Sequence, residues 1–510
     1  MSWLDRQDMK PGLLDRGMQS VSKSVSAVPR GLLEGIIVLM AAVALIFLFV
    51  EKSPYYAVGA VVVLFAVLLL MRQPVRLTYV LVFIIPLYWI NLLGRSMRVI
   101  TVLTMIAVAY HLSRVVLERK TPRYNHVYLA YGLYLLTCFF SLFNSVDVTR
   151  SYLGMKYFLL SLGILFVMTV SIKTKEQLRL VIIIIIGWGI AQSILGMLQT
   201  FVSVKFFPAY YFHTFGMPII DAYAVGGVRR ASGTFQVGPR YAMFIMMPLA
   251  FVFAGFLSGK LLSRRTWLLL ITPFVVGLVV SLTRIAVALG LIYVALYNFF
   301  ERRRQALVAS VAGLVVLGVV VTAVVAFAIP GDVKYALMKR FTDSDDEVYM
   351  DRLYFLWNAL GAWTENPFLG IGVGTYEMRS WEFMQKYPVP WRQYQWDVAQ
   401  RGTMPETVPV HNEYGRMLAE QGILAIPTFI FLLLAAFWNL RFAQQRSRDP
   451  FIKWVALGTS IYLVAMMIYW YFHEYFMEEP YVSILPFTLS IILVDIVKKE
   501  EAEPSGETAT

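Results

Sequence analysis

The feature that most constrains this chain is the recurrence of long apolar runs, separated by short polar breaks, over most of its length. Runs of about 16–24 residues are long enough to cross a bilayer as α-helices, which satisfy their own backbone hydrogen bonds in hydrocarbon. They fall near 33–50, 56–71, 77–93, 99–116, 126–143, 152–171, 178–203, 241–258, 266–282, 285–300, 306–328, 423–440, 452–471 and 481–497. The expected fold is an all-α polytopic membrane protein with about 12–14 transmembrane helices. A soluble multidomain reading is excluded, because 58% of the 510 residues are hydrophobic and only 15% are charged.

The formal net charge of +13 raises nucleic acid as a partner. The basic residues sit in short clusters between spans, however, and no basic domain exists, so no nucleic acid is expected. With the N-terminus inside, the inside loops hold Arg72 and Arg76; Arg114, Arg119, Lys120 and Arg123; and Lys173, Lys175 and Arg179. Further along they hold Lys260, Arg264 and Arg265; Arg302, Arg303 and Arg304; Arg441, Arg446 and Arg448; and Lys498 and Lys499. Every strong cluster then faces one side, as the positive-inside rule requires, with both termini cytoplasmic.

This topology divides the chain. Residues 1–32 form a basic cytoplasmic leader, and 33–328 a membrane bundle with an outer loop at about 204–240. Residues 329–422 form one large outer loop, 423–497 the C-terminal transmembrane helices, and 498–510 a disordered cytoplasmic tail. The apolar run at 33–50 is taken as an uncleaved span. No internal repeat is present, which argues against a transporter built from duplicated halves.

The large loop needs a reason, since long connections are usually functional or disordered. It carries seven Trp and Tyr residues between Tyr376 and Tyr414, a poor composition for disorder. It therefore reads as an active-site loop. The sugar-stacking candidates are Trp381, Tyr387, Trp391, Tyr394 and Trp396, which would serve equally as the packed core of the loop or its seat at the interface. Near its end, His411 follows Pro409 and precedes Asn412, a good helix N-cap, and the helical stretch ends at Gly422. Helical spacing puts His411, Gly415 and Ala419 on one face, with the imidazole at an exposed end. A neutral imidazole can accept a proton near pH 7, although a hydrogen-bonded loop histidine without chemistry fits the same sequence.

The outer loops also contain Arg229, Arg230, Arg240, Arg284, Arg352 and Arg401, and the carboxylates Asp351, Glu365, Glu406, Glu413 and Glu420. Guanidinium groups suit phosphate oxygens and stay charged at any relevant pH, so they could stabilise a departing lipid diphosphate without a metal. Arg284 lies between two spans with almost no loop around it. That position admits a functional charge or a side chain snorkelling to headgroups.

Other signals are weaker. Asp343-Ser344-Asp345-Asp346-Glu347 contains a D-x-D spacing that is more often a solvated acidic run. Gly370-Ile371-Gly372-Val373-Gly374 lacks a surrounding strand–helix unit, so close backbone packing is expected rather than a dinucleotide site. His473-Glu474 could bind a substrate or face solvent, and solvent is the expectation; His213 has no partner visible in sequence. The lone cysteine, Cys138, excludes an intrachain disulfide and a thiolate metal site. No cofactor and no metal are expected.

Four elements together resemble the O-antigen ligase and polymerase superfamily. They are Arg230-Ala231-Ser232-Gly233-Thr234-Phe235, Ser281-Leu282-Thr283-Arg284, Arg352–Trp357 followed by Asn366–Gly374, and His411-Asn412-Glu413-Tyr414 through Gly422. They stand in the family order over about 229–440. The family's N-P-N after G-T-F is replaced by Gln236-Val237-Gly238, and position 283 is Thr rather than Ser. The resemblance implies a bacterial inner-membrane enzyme whose large loop is periplasmic. It would move a glycan from undecaprenyl diphosphate to a hydroxyl on a lipid A core, a second repeat unit or a protein. By motif, His411 would activate the acceptor, Arg284 and Arg352 would hold the donor diphosphate, and Arg230 would join them. Asn412, Tyr414, Trp391 and Trp396 are further substrate-binding candidates. Membrane lipids and export or chain-length proteins are the implied partners. A lipid-linked-oligosaccharide flippase is the alternative. It would bury charges mid-span in both halves of the chain.

Overall fold

A computed structural model describes residues 74–87, 99–117, 124–202, 224–225, 228–235, 237–258, 261–301, 346–386 and 410–502. Helices dominate, beginning with α1 (Pro74–Ile84), α2 (Val99–Leu117), α3 (His126–Ser141), α4 (Val148–Ser171) and α5 (Lys175–Phe201). A two-residue antiparallel pair, β1 (Ala224–Val225) and β2 (Val228–Arg229), interrupts them. There follow α6 (Gly238–Ser258), α7 (Arg264–Val280), α8 (Arg284–Glu301), α9 (Asp346–Glu365), α10 (Tyr376–Lys386) and α11 (Glu413–Gln421). The last are α12 (Ala425–Arg446), α13 (Pro450–Phe472), α14 (Tyr475–Glu478), α15 (Pro480–Ser483) and α16 (Leu485–Ala502).

Eight stretches among the described residues are long and apolar enough to cross a membrane, and two shorter apolar helices accompany them. The chain is an all-α polytopic membrane protein. Of the expected spans, 33–50, 56–71 and 306–328 lie outside the described residues.

Short polar residues start the helices, as capping chemistry requires. Asn125 Oδ1 accepts the Val127 N–H at 2.9 Å, Asp147 accepts that of Arg150 at 3.0 Å, and Thr174 and Gln177 close a capping box. Asp449 caps α13, where Pro450 fills the first turn and costs no hydrogen bond.

The chain divides into two compact units. One comprises Met1–Thr78 and Met105–Arg123; its described part is the start of α1 and the end of α2. The other, Tyr79–Thr104 with Tyr124–Thr510, holds everything discussed below. Its centre is the continuous stretch Pro480–Ala502, whose apolar window is entirely buried. Packed on it are α4, α12 and α13, and α6 packs against α13. A single apolar cluster fills these contacts, with Tyr134, Phe158, Phe429, Trp470 and Phe476 at the end where α11 docks. The short helix α11 touches α3, α9, α12 and α13, and so joins the loop region to the bundle.

Candidate active site

At that end the stretch Arg230–Phe235 has no regular structure, yet Ala231, Ser232 and Phe235 are buried. Backbone polar groups there need partners inside the protein. Two glutamines of α5 supply them. Gln199 Oε1 accepts from the N–H groups of Ser232 at 3.0 Å and Gly233 at 2.8 Å, and its Nε2 donates to the Gly233 carbonyl at 2.6 Å. Gln192 accepts from the Thr234 N–H at 2.8 Å and donates to the Thr234 hydroxyl at 2.5 Å. Gly233 has φ +56°, and a Cβ there would lie 2.1 Å from Gln192 Oε1, so both handedness and space demand glycine. The glutamines were missed from sequence. Their signal is two amides, seven residues apart, on one face of an apolar helix.

Arg230 ties this stretch to the next motif. Its Nε donates to the Ser281 carbonyl at 3.2 Å and its Nη2 to Thr283 Oγ1 at 3.3 Å, while the Ala231 N–H donates to the Val280 carbonyl at 3.0 Å. Leu282, at φ +51°, makes the tight link between α7 and α8, and Arg284 opens α8. Arg230 is thus anchored on the turn directly before Arg284.

His411 stands just before α11 in a left-handed conformation, φ +51°. The helix begins at Glu413, so the expected common face of His411, Gly415 and Ala419 does not form. The turn instead lays the ring edge-on to Phe355 of α9 at 5.3 Å, and the side chain keeps 42% exposure, enough for a substrate to reach. The His411 N–H donates to Glu474 Oε2 at 2.9 Å, and Nδ1 lies 3.8 Å from Glu474 Oε1. Asn412 caps α11 through the Gly415 N–H at 2.9 Å and donates to the Tyr471 carbonyl at 2.9 Å. Tyr414 donates to the Met467 carbonyl at 2.7 Å. Both side chains therefore fasten α11 to the end of α13. Arg352 lies on α9 one turn before Phe355, its guanidinium carbon 5.5 Å from the Phe472 ring centroid.

The expectation that His473-Glu474 faces solvent is corrected: they are only 7% and 4% exposed. Tyr469, at 4.7 Å, and Tyr475, at 5.0 Å and nearly parallel, both pack against the His473 ring. Burial, then the charges of Arg352, His411 and Arg230, hold His473 well below the usual histidine range. For His411, burial and then Arg352 push the pKa down to about 4, with Glu478 opposing. Arg352 and His411 stand at this same end of α13, against Phe472 and Glu474 respectively. Arg284 directly follows Thr283, whose Oγ1 Arg230 contacts. Trp391, Trp396, Tyr387 and Tyr394 lie outside the described residues, as do Glu406, Arg401, His213 and the side chains of Trp381 and Asp351.

Behind the histidines lies a buried carboxylate layer. Glu413 accepts the Phe476 N–H at 3.0 Å, and burial pushes its pKa up to about 8 against the pull of Arg416. Burial and then Glu478 push Glu474 well above the carboxylate range, with Arg416 opposing. Glu420 accepts from the N–H groups of Gly374 at 2.7 Å and Tyr376 at 3.1 Å, docking the glycine-rich stretch on α11. A Cβ on Gly370 would meet the Glu420 backbone at 2.3 Å, so this stretch packs by close backbone approach, as expected. Arg240 pairs with Glu478 at 2.6 Å and Glu479 at 3.0 Å, and Arg416 lies 3.6 Å from Glu478. One group among the described residues, Glu377, Glu474 and Glu478, brings a carboxylate oxygen from each within 4.8 Å of the others, a spacing compatible with a metal ion. Arg240 and Arg416 already offset the charge of Glu478.

Residues 266–430 match the family model described as O-antigen ligase. Over this segment the chain is similar to the O-antigen ligase family. No curated protein matches the chain. The matched segment contains Arg284, Arg352 and His411, whereas Arg230 and His473 lie outside it. The family supports a membrane glycosyltransferase of the O-antigen ligase or polymerase type, with a lipid-linked glycan and an acceptor as substrates.

Proposed function

We propose that the protein transfers a glycan from undecaprenyl diphosphate to an acceptor hydroxyl at the periplasmic face of a bacterial inner membrane. The observation that carries this reading is that His411, through Glu474, and Arg352, against Phe472, stand at one end of α13 and lie within the O-antigen ligase segment. The acceptor oxygen attacks the anomeric carbon. The bond from that carbon to the diphosphate oxygen breaks with its electron pair, and the hydroxyl proton passes to His411. Arg352, Arg284 and Arg230 offset the charge that grows on the departing diphosphate. Because His411 is held neutral, its lone pair is available throughout the physiological pH range. Its weak basicity means it takes the proton only as the new bond acidifies the hydroxyl. Glu474 positions the turn that carries His411 through the backbone N–H. Asn412 and Tyr414 keep the same turn in register with α13, and Trp391 and Trp396 would stack on sugar rings.

The test uses the full chain in nanodiscs with an undecaprenyl-diphosphate-linked glycan and EDTA. Wild type should release undecaprenyl diphosphate and form a longer or transferred glycan, while Arg352→Ala and His411→Ala should not. Product identity then distinguishes polymerase from ligase. No consumption of the native donor by wild type would sink the enzyme reading, and turnover that requires an added divalent cation would sink the metal-independent one.

A further inference from the structure

Resting on that reading, we propose that His473 is a further substrate-contacting residue, whose Nε2–H donates to an oxygen of the donor diphosphate alongside Arg230 and Arg352. Four observations point there. His473 is more than nine-tenths buried, and its Nε2 has no hydrogen-bond partner among the described residues. A buried polar atom left so is costly, a cost that a bound ligand would relieve. The ring is also held in place: Tyr469 packs on it at 4.7 Å, and Tyr475 stacks at 5.0 Å with 3° between planes. Tyr469 is itself fixed through its hydroxyl to the Pro239 carbonyl at 2.8 Å.

The third observation is the surrounding charge. Arg352 stands at the same helix end, its guanidinium carbon 5.5 Å from the Phe472 ring, and the charges of Arg352 and Arg230 both lower the His473 pKa. Two guanidinium groups and a neutral imidazole make an anion site. A carbonyl or hydroxyl ligand would not need the arginines. The fourth is position. His473 ends α13 in extended backbone, φ −153°, directly before Glu474, which holds the His411 turn. One dipeptide therefore serves both halves of the reaction: His473 faces the arginines that hold the leaving group, and Glu474 fixes the group that takes the acceptor's proton. Neutrality gives specificity. A third full cation would bind the product diphosphate more tightly and slow its release.

The variants are His473→Phe, which keeps the stacked ring but has no donor, and His473→Gln, whose amide reaches the Nε2 position. Both are purified as the full chain, and binding of farnesyl diphosphate is measured alongside turnover of the native lipid-linked glycan. His473→Phe should weaken farnesyl diphosphate binding and lower kcat/KM for the donor by roughly 10- to 100-fold, the value of a hydrogen bond to a charged group. The KM for the acceptor should not change, and His473→Gln should recover most of the loss. If His473→Phe does not survive purification, His473→Asn, too short to reach the same point, replaces it. Wild-type binding with an equal affinity in His473→Phe, or a loss confined to the acceptor, overturns the assignment and leaves the transferase reading standing. A wild type that binds no prenyl diphosphate overturns both.

Discussion

The two ends of the bundle treat charge in opposite ways. At the end away from the site, Lys173 pairs with Asp495 at 3.2 Å and Lys175 with Asp449 at 2.6 Å, and both lysines are more than one-third exposed. In each pair the lysine reaches solvent beside a more buried carboxylate. At the site end Glu413, Glu420, Glu474 and Glu479 are all below 5% exposure, packed among Arg240, Arg416 and two histidines. Removing carboxylates from water is expensive, and ion pairing repays it only with good geometry. A bundle whose stability comes from apolar packing does not need that expense. The contrast indicates that the site end is shaped by what it must bind, and the opposite end by orientation in the membrane.

The sharpest way to break the contrast is to remove one group at each end. His411→Ala should lower transfer by about 10²- to 10⁴-fold, the usual worth of a general base, while Lys175→Met leaves the rate unchanged. Equal rates for the two variants would end the distinction. Arg352→Gln should cost roughly 10²- to 10³-fold if it stabilises the departing diphosphate. It carries a second signature. Below the His411 pKa of about 4 the imidazolium cannot accept a proton, so wild-type activity should fall only near that pH. Loss of the Arg352 charge should move this acid limb upward, toward the unperturbed 6.5. A limb that stays in place would separate Arg352 from His411.

Next in size is the support beneath the site. Gln199→Leu strands the Ser232 and Gly233 N–H groups in a buried place, at about 1–3 kcal/mol for each. The Arg230 anchor should loosen with them. Melting of the purified variant would report the loss, and an unchanged melting temperature would show that the Arg230–Phe235 stretch is held by something else.

The span pattern was legible because hydrocarbon leaves few choices: an apolar run of sufficient length becomes a helix. The capping residue Asn412 was equally readable, since a short polar side chain before a helical run has one good use. The glycine-rich stretch read correctly as close packing because no strand–helix unit surrounds it. What sequence hid was pairing across distance. Glu474 reaches His411 over 63 positions, and Arg240 reaches Glu478 over 238. A local reading saw His473-Glu474 only as two polar residues after a span and assigned them to water. The shared helical face of His411, Gly415 and Ala419 failed for a local reason, because His411 turns left-handed before the helix begins.

A smaller effect tests the carboxylate layer directly. Glu413 keeps its proton to about pH 8 in the folded chain, against about 4.5 when unfolded. Below 4.5 both states are protonated and folding carries no penalty. Between the two values the unfolded chain releases the proton and the folded chain does not, so stability falls as pH rises, and the penalty is complete above 8. Glu413→Gln removes that titration and retains an oxygen for the Phe476 N–H. The variant should melt near wild type at about pH 5 and above it at about pH 8.5. Parallel melting curves would show Glu413 ionised in the folded state.

The smallest effect belongs to the opposite end. Lys175→Met breaks its contact with Asp449, but an exposed pair is worth about 0.2–1 kcal/mol and is screened by salt. Asp449→Ala should cost more, because the same carboxylate accepts the Phe451 N–H at 2.7 Å and caps α13, at about 1 kcal/mol. The double variant separates the two roles. Its stability should equal the sum of the singles to within about 0.5 kcal/mol in 0.5 M salt, since only the cap survives screening. A coupling well above that figure would mean the pair is buried within the folded protein as the site-end carboxylates are. The two ends would then differ in chemistry but not in how they hold charge.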